Sequence, residues 1–289
     1  HFGELAVLTR IACPDAALVN NALRAHVGCG FDGTADIARA KSEIYQGLGA
    51  DGLALVPCED ANADIFQTAS AAHRQQTFGV DKGGVHAQNI VLKPLSCAFD
   101  LVCGNDRAAV SLPVPGRHNV HNAAAAAALA LAVGLSLQEV ADGLKDFSNI
   151  KGRLKVKRGI KGATLVDDTY NANPDSMKAA IDVLAALPAP RVFVMGDMGE
   201  LGEDEAAAMH AEVGAYARDK GIEAAYFVGD NSVEAAETFG AAGLWFAAKD
   251  PLIQVLSHDL PEGASVLVKG SRFMAMEEVA DALEDKEAV

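Results

Sequence analysis

Two rhythms of apolar and polar residues divide this chain. From Ala163 onward, short apolar runs recur at 163–166, 191–195, 224–228, 243–246 and 265–268. Stretches of helical period lie between and after them, ending at 273–283. Regular alternation of strand and helix predicts a doubly wound, Rossmann-like α/β domain. The earlier half is less regular. Segments 16–20 and 53–57 read as short buried strands with a helix over about 34–48 between them. A glycine-punctuated, β-rich region follows, in which 99–103 and 107–112 flank Gly104-Asn105-Asp106 as a hairpin. Two helices come next, over 118–133 and 137–147. Gly134 ends the first, and Ser136 with Glu139 forms a capping box for the second. The opening residues Phe2–Leu8 read as packed structure. The rhythm changes around Ser148–Arg153, which predicts a hinge and two domains, 1–149 and 150–289.

Composition narrows the function. Half of the 289 residues are hydrophobic, ample for two cores, while the formal net charge is -15 and the pI about 4.9. So acidic a chain is unsuited to nucleic acid or to anionic membrane surfaces. Any phosphorylated ligand would have to be held by local basic groups, helix N-termini or metal ions. No apolar run approaches the roughly 20 residues of a membrane span, so no membrane insertion is expected, and the alanine-rich run 123–132 is a core helix. Five cysteines form no Cys-x-x-Cys pair. They point to reduced thiols in a cytoplasmic protein and away from a zinc site. The chain opens on His1, and we expect it to be part of a longer polypeptide, with otherwise covered apolar surface exposed.

The densest candidate chemistry is Asp167-Asp168-Thr169-Tyr170-Asn171-Ala172-Asn173-Pro174-Asp175-Ser176. It lies on the loop from a strand's carboxyl end into a helix, where parallel α/β sheets bind ligands. Asn173 or Asp175 can cap that helix, and Pro174 suits its first turn. Pro115-Gly116-Arg117-His118-Asn119-Val120-His121-Asn122 leads into the alanine-rich helix. Asn119 and Asn122, three apart, share one face of its first turn, and carboxamides there can pair donor and acceptor with a nucleobase edge. An ordinary turn and cap explains one of these asparagines. His26, just past a strand end, and Lys41, on a helix, are unremarkable singly. Arg153 at the hinge could bring a planar fork onto a transferring phosphate. The loops Gly196–Gly202 and Lys269-Gly270-Ser271-Arg272 each follow a strand of the second domain. No Gly-x-x-x-x-Gly-Lys-[Ser/Thr] phosphate loop occurs, and no Gly-x-Gly-x-x-Gly opens the second domain, which argues against a dinucleotide site there.

Taken in order, Pro-Gly-Arg-His-Asn-x-x-Asn-Ala-Ala, Asp-Asp-Thr-Tyr-Asn-Ala-Asn, Gly-Asp-Met-x-Glu-Leu-Gly and Val-Lys-Gly-Ser-Arg resemble the Mur ligases of bacterial peptidoglycan synthesis. Asp168–Asn173 resembles the branch that adds D-alanyl-D-alanine to UDP-N-acetylmuramoyl-tripeptide. The resemblance implies an α/β fold: the later part of a central ATPase domain (a mixed sheet with helices), then a Rossmann-like C-terminal domain. It implies ATP and Mg²⁺ as cofactors, and UDP-N-acetylmuramoyl-tripeptide and D-alanyl-D-alanine as partners, in a protein monomeric at full length. The implied reaction passes the ATP γ-phosphate to the tripeptide carboxylate, and the amine then attacks the acyl phosphate. By resemblance, His26 binds Mg²⁺ and Lys41 does so as a carbamate. Asn119 and Asn122 contact adenine and Asp168 the ribose. Arg153, Tyr170 and Asn171 lie near the phosphates, while Asn173, Lys269, Ser271 and Arg272 face the amine substrate. His26, Lys41 and Arg153 are the catalytic candidates. After His26 the chain reads Val-Gly-Cys-Gly-Phe-Asp where the family has Leu-Glu-Gly-Phe-Gly, one residue longer and without the glutamate. The family's UDP-binding domain and phosphate loop are not among these residues, so no ligase activity is expected of them alone. Another ligase of the superfamily, such as a folylpolyglutamate synthase, and a non-catalytic nucleotide-binding module are the alternatives.

Overall fold

The computed structural model describes residues 1–286. The chain divides into two compact units, His1–Ser148 and a second beginning at Asn149.

In the first unit the elements run α1 (Glu4–Ala12), β1 (Ala16–Leu18), α2 (Thr34–Ser42), β2 (Leu53–Pro57), α3 (Ala63–Ala69), β3 (Arg74–Val80), β4 (Val85–Lys93), β5 (Ser96–Cys103), β6 (Asp106–Leu112), α4 (Arg117–Ala132) and α5 (Leu137–Lys145). The six strands form one sheet in sequence order. β1 to β4 pair in parallel, and β4, β5 and β6 pair antiparallel. The two faces separate by strand alternation. On β2, Ala54 and Val56 join Ile37, Tyr45 and Phe66 under α2 and α3. Leu55 faces the other way, into the core that α4 makes with β3–β6. Ala123, Ala127 and Ala128 of α4 are buried there, and their small side chains let the helix lie close on the sheet.

The expected helix over 34–48 is helical as far as Gly47, tightening to a 3-10 turn at Glu43–Gly47, and Leu48 is already extended. The capping box at Ser136 and Glu139 forms as expected. The opening segment differs from expectation. It is a helix, but only Ala6 and Thr9 of α1 are buried. Val7, Leu8 and Ile11 form an exposed stripe, Ile11 at 76% exposure. Thr9 accounts for the attachment: its hydroxyl donates to the Ile44 carbonyl at 2.6 Å.

The second unit carries β7 (Lys155–Arg158), β8 (Thr164–Asp168), α6 (Pro174–Ala185), β9 (Arg191–Gly196), α7 (Glu203–Asp219), β10 (Ala224–Val228), α8 (Ser232–Phe239), β11 (Gly243–Phe246), α9 (Lys249–Asp259), β12 (Ser265–Lys269) and α10 (Glu277–Leu283). Its strand order is β11-β10-β9-β12-β8-β7, parallel except for the antiparallel edge strand β7. Strands alternate between two cores. Val166, Phe193, Met195 and Leu267 pack with α6, α7 and α8. Leu165, Val192, Val194, Val266 and Val268 pack with α9 and α10. The unit is therefore the doubly wound domain that the sequence predicts. The chain leaves β8 for β9 and returns to β12 between them, so the carboxyl ends of β8, β12 and β9 lie side by side at the switch in strand order.

Candidate functional site

Each unit has its own cluster of polar side chains at strand carboxyl ends. In the first unit it is built on Asn20 and Asn21, just past β1, and on the first turn of α4. Asn119 Nδ2 donates to the Pro115 carbonyl at 2.7 Å, and Asn122 Nδ2 donates to Asn119 Oδ1 at 3.3 Å. Asn20 Nδ2 donates to Asn122 Oδ1 at 2.9 Å. His121 Nε2 lies 3.0 Å from the Asn20 carbonyl, which only accepts, so that nitrogen carries a proton. The His121 ring tilts against Phe78 with centroids 5.4 Å apart. The next carbonyl, that of Asn21, accepts from Lys41 Nζ at 2.8 Å. Burial pushes the Lys41 ammonium below its usual range, against the opposing pull of Asp60. Asp60 is itself engaged, accepting from the backbone N–H groups of Ala22 and Asn62 at 2.8 Å each.

His26 opens a tight loop. It has φ 69°, and the backbone N–H of Gly28 donates to the Phe31 carbonyl at 2.9 Å. The turn closes with Phe31 in the core under α2 and α3. Among the described residues no group of three His, Cys, Asp or Glu side chains lies together to hold a metal ion. Lys41 as an ammonium has no lone pair with which to ligate a cation.

In the second unit the β8 loop folds onto the ends of β12 and β9. Asp168 is buried, with Oδ1 accepting from the Leu154 N–H at 3.1 Å and Oδ2 from Lys269 Nζ at 2.6 Å. Lys269, also buried, donates again to the Asn171 carbonyl at 2.8 Å. Ser271 is 3% exposed, and both roles of its hydroxyl are filled. It donates to the Ala172 carbonyl at 3.1 Å and accepts from the Gly199 N–H at 2.7 Å. Its own N–H donates to the Asp197 carbonyl at 2.9 Å. One serine thus ties the β8, β9 and β12 loops together.

Asn173 is the N-cap of α6, accepting from the Ser176 N–H at 2.9 Å, with Pro174 in the first turn. Asn171 is exposed, and its Oδ1 accepts from the Ala172 N–H at 2.8 Å. The guanidinium of Arg153 lies 4.1 Å from the centroid of the exposed Tyr170 ring. Gly152 makes that stacking possible: its φ is 75°, and a Cβ there would stand 3.1 Å from the Tyr170 nitrogen. Arg272 is exposed and paired with Glu277 at 2.6 Å. Behind Asp168 lies a second charged group. Lys157 of β7 meets Glu284 at 2.9 Å and both Asp167 and Asp281 at 3.2 Å. Burial opposes the Lys157 charge, but these carboxylates outweigh it and hold the ammonium above its usual range.

Reading along the chain did not single out Asn20, His121, Asp60, Asp197 or His210. For Asn20 there was a signal, since it follows an apolar strand run as the Asp168 loop does. His210 gave none, being one polar residue within a helix. It is fully buried, its Nδ1 2.7 Å from the Ala206 carbonyl and its Nε2 accepting from the Met198 N–H at 2.9 Å. Asp197 closes the same corner, accepting from Ser232 Oγ at 2.6 Å.

The comparisons with known proteins agree along the whole chain. The Mur ligase middle domain matches residues 1–130, and the Mur ligase glutamate ligase domain matches residues 152–272. The chain belongs to the Mur ligase family. Among curated Mur ligases, it is 39% identical to the UDP-N-acetylmuramoyl-tripeptide–D-alanyl-D-alanine ligase of Escherichia coli, over 99% of the chain and 63% of that protein. It is 30% identical to the Bacillus subtilis ligase of the same name, over 96% of the chain and 61% of that protein. The crystal structure of MurF from Acinetobacter baumannii superposes with a TM-score of 0.90 at 36% identity, covering 98% of this chain and 62% of that one. The chain spans under two thirds of the length of the Mur ligases it matches. No helix among the described residues is long and apolar enough to cross a membrane.

Proposed function

We propose that this chain is part of an ATP-dependent amide ligase that joins D-alanyl-D-alanine to UDP-N-acetylmuramoyl-tripeptide. The observation that carries this reading is identity of 39% spread over 99% of the chain with ligases of that name. The strand-end clusters support it, because both units gather their polar side chains where α/β sheets take ligands. The reaction brings anions together, so preorganised donors and cations must face the charge as it moves.

Each candidate then has a chemical role. Asn119 and Asn122 offer carboxamides to the adenine edge. Asp168 offers a carboxylate to the ribose, held in place by Lys269. Arg153, backed by Tyr170, and Asn171 serve the phosphates. Arg272, the exposed cation of its loop, suits the carboxylate of the incoming dipeptide. Asn173, Lys269 and Ser271 serve that substrate by holding the loops that meet it. Mg²⁺ belongs to the same reading, with His26 as one ligand and Lys41 as another only after carbamylation. Burial of Lys41 favours the neutral amine, the form that reacts with carbon dioxide.

The test joins this chain to the portion of the E. coli ligase that it does not cover. Such a fusion should release ADP when supplied with ATP, the tripeptide precursor and D-alanyl-D-alanine. Turnover indifferent to the dipeptide, or faster with glutamate as the amine, would overturn the assignment.

A further inference from the structure

The three asparagines of the first unit form a directed chain, and its direction is set at one end. The Pro115 carbonyl can only accept, so Asn119 must turn Nδ2 toward it, at 2.7 Å. Asn119 Oδ1 then faces Asn122, which answers with Nδ2 at 3.3 Å. That places Asn122 Oδ1 toward Asn20, whose Nδ2 donates at 2.9 Å. Reversing the chain would set oxygen against oxygen at Pro115.

Asn20 is anchored apart from its side chain. Its carbonyl accepts from His121 Nε2 at 3.0 Å, and the neighbouring Asn21 carbonyl accepts from Lys41 at 2.8 Å. Its own Oδ1 is buried and has no hydrogen-bond partner among the described residues. Asn122 is thus held from both sides, and the bond from Asn20, at 2.9 Å, is shorter than the one to Asn119, at 3.3 Å.

We infer that Asn20 is a positioning residue: its hydrogen bond holds exposed Asn122 in the sense that Asn119 sets, and through it governs which nucleobase the site accepts. The inference rests on the nucleotide reading above. In the observed sense Asn122 keeps one lone pair on Oδ1 and one N–H on Nδ2 for a ligand. That pair complements the amine donor and ring-nitrogen acceptor of adenine. Hypoxanthine has an oxygen acceptor where adenine has its amine. A carboxamide held in one sense rejects it, and a freely rotating one tolerates it.

The experiment titrates the full 289-residue chain with Mg-ATP and with Mg-ITP, as it stands and as Asn20→Ala and Asn20→Asp. The unaltered chain should prefer ATP. Asn20→Ala should lower the ATP-to-ITP ratio about three- to tenfold, the worth of one orienting hydrogen bond. Asn20→Asp, which offers only acceptors and draws Asn122 Nδ2 round, should lower it further. An undiminished ratio in folded Asn20→Ala overturns the inference and leaves the nucleotide site standing. Equal binding of both nucleotides, or of neither, by the unaltered chain overturns both.

A second measurement needs no variant. Side-chain amide resonances of Asn119 and Asn122 in the ligand-free chain should show hindered, exchange-protected NH₂ groups. Averaged, rapidly exchanging signals from both would overturn the relay even if Asn20→Ala failed to fold.

Discussion

The two strand-end clusters solve the same problem with different chemistry. At the end of β8 in the second unit, charge is matched to charge and hydroxyl to backbone until almost nothing polar is left over. Asp168 is 8% exposed and Lys269 3% exposed. At the start of α4 in the first unit, neutral carboxamides pass a hydrogen bond along a line from Asn20 to the Pro115 carbonyl, with exposed Asn122 in its middle. A closed cluster of charges holds loops in place, while an open line of amides presents groups to a ligand. The second cluster's charged residues are buried against one another, whereas the first cluster's linked amides leave Asn122 exposed.

The harshest way to break the contrast is to remove one buried charge. Lys269→Met would leave the Asp168 carboxylate with the Leu154 N–H and no cation. Loss of one partner of a buried pair costs about 3–5 kcal/mol. Denaturant unfolding, followed through the fluorescence of Trp245, the chain's single tryptophan and a residue of the second unit, should show that loss. Adding Asp168→Asn should recover part of it. A change below about 1 kcal/mol, the worth of a surface pair, would mean the cluster is not closed.

Ser271→Ala is milder. It strands the Gly199 N–H and the Ala172 carbonyl, so we expect a loss of about 1–3 kcal/mol by the same readout. Amide exchange should quicken at Gly199 while the α4 turn keeps its protection. Equal quickening in both units would tie the two clusters together and erase the comparison.

Much of this was legible along the chain. Strands β8, β9, β10 and β12 lie where their apolar runs are, because a buried parallel strand is apolar on both faces and cannot hide. β11 also lies on its apolar run, although it is an edge strand with Leu244 and Trp245 exposed. The capping box at Ser136 and the asparagine cap at 173 are local chemistry within four residues. β7 escaped notice because Lys155-Val156-Lys157-Arg158 reads as a solvated charge run. It is an edge strand whose Lys157 turns inward onto Asp167, Asp281 and Glu284. β3, Arg-Gln-Gln-Thr-Phe-Gly-Val, begins polar and buries only its last three residues. α1 gave the opposite trouble: its apolar residues predict burial, yet they face outward. Within the sites, residue types could be read but not who meets whom. Lys269 and Asp168 stand 101 positions apart, and no local pattern reports such a pairing. Ser271 therefore reads as a ligand contact although its hydroxyl is spent on the backbone.

Acidity offers a graded way to loosen the second unit alone. Burial holds the His210 imidazole below its usual range, with the Ala206 carbonyl and Asp197 opposing that shift. The neutral ring is the one the fold requires, since Nε2 must accept from the Met198 N–H. The unfolded chain takes up this proton near pH 6.5. The second unit should keep its full His210 contribution above that pH and lose it as pH falls from about 6.5 through the lower folded value. Glu223 and Asp281, whose carboxyl groups are held below their usual range, add a separate loss only in the more acidic carboxylate range. The measurement is Trp245-detected stability against pH, repeated in His210→Gln, which should flatten the upper slope and leave the acidic one.

The smallest effect belongs to the stacked pair of the second cluster that faces outward. Arg153 over Tyr170 is an exposed cation–π contact, worth about 0.5–1 kcal/mol. A double-mutant cycle on Arg153→Ala and Tyr170→Ala should return a coupling of that size. Arg153→Lys should keep the charge but lose the flat stacking, and with it the orientation of the fork. If the pair matters for ligand rather than for fold, Arg153→Lys will weaken binding of Mg-ATP by the fusion with the E. coli portion, with stability unchanged within about 0.5 kcal/mol, the usual range for surface substitutions. A stability loss as large as that of Ser271→Ala would place Arg153 with the closed part of the cluster, and its stacking on Tyr170 would then be one more contact that holds the loop.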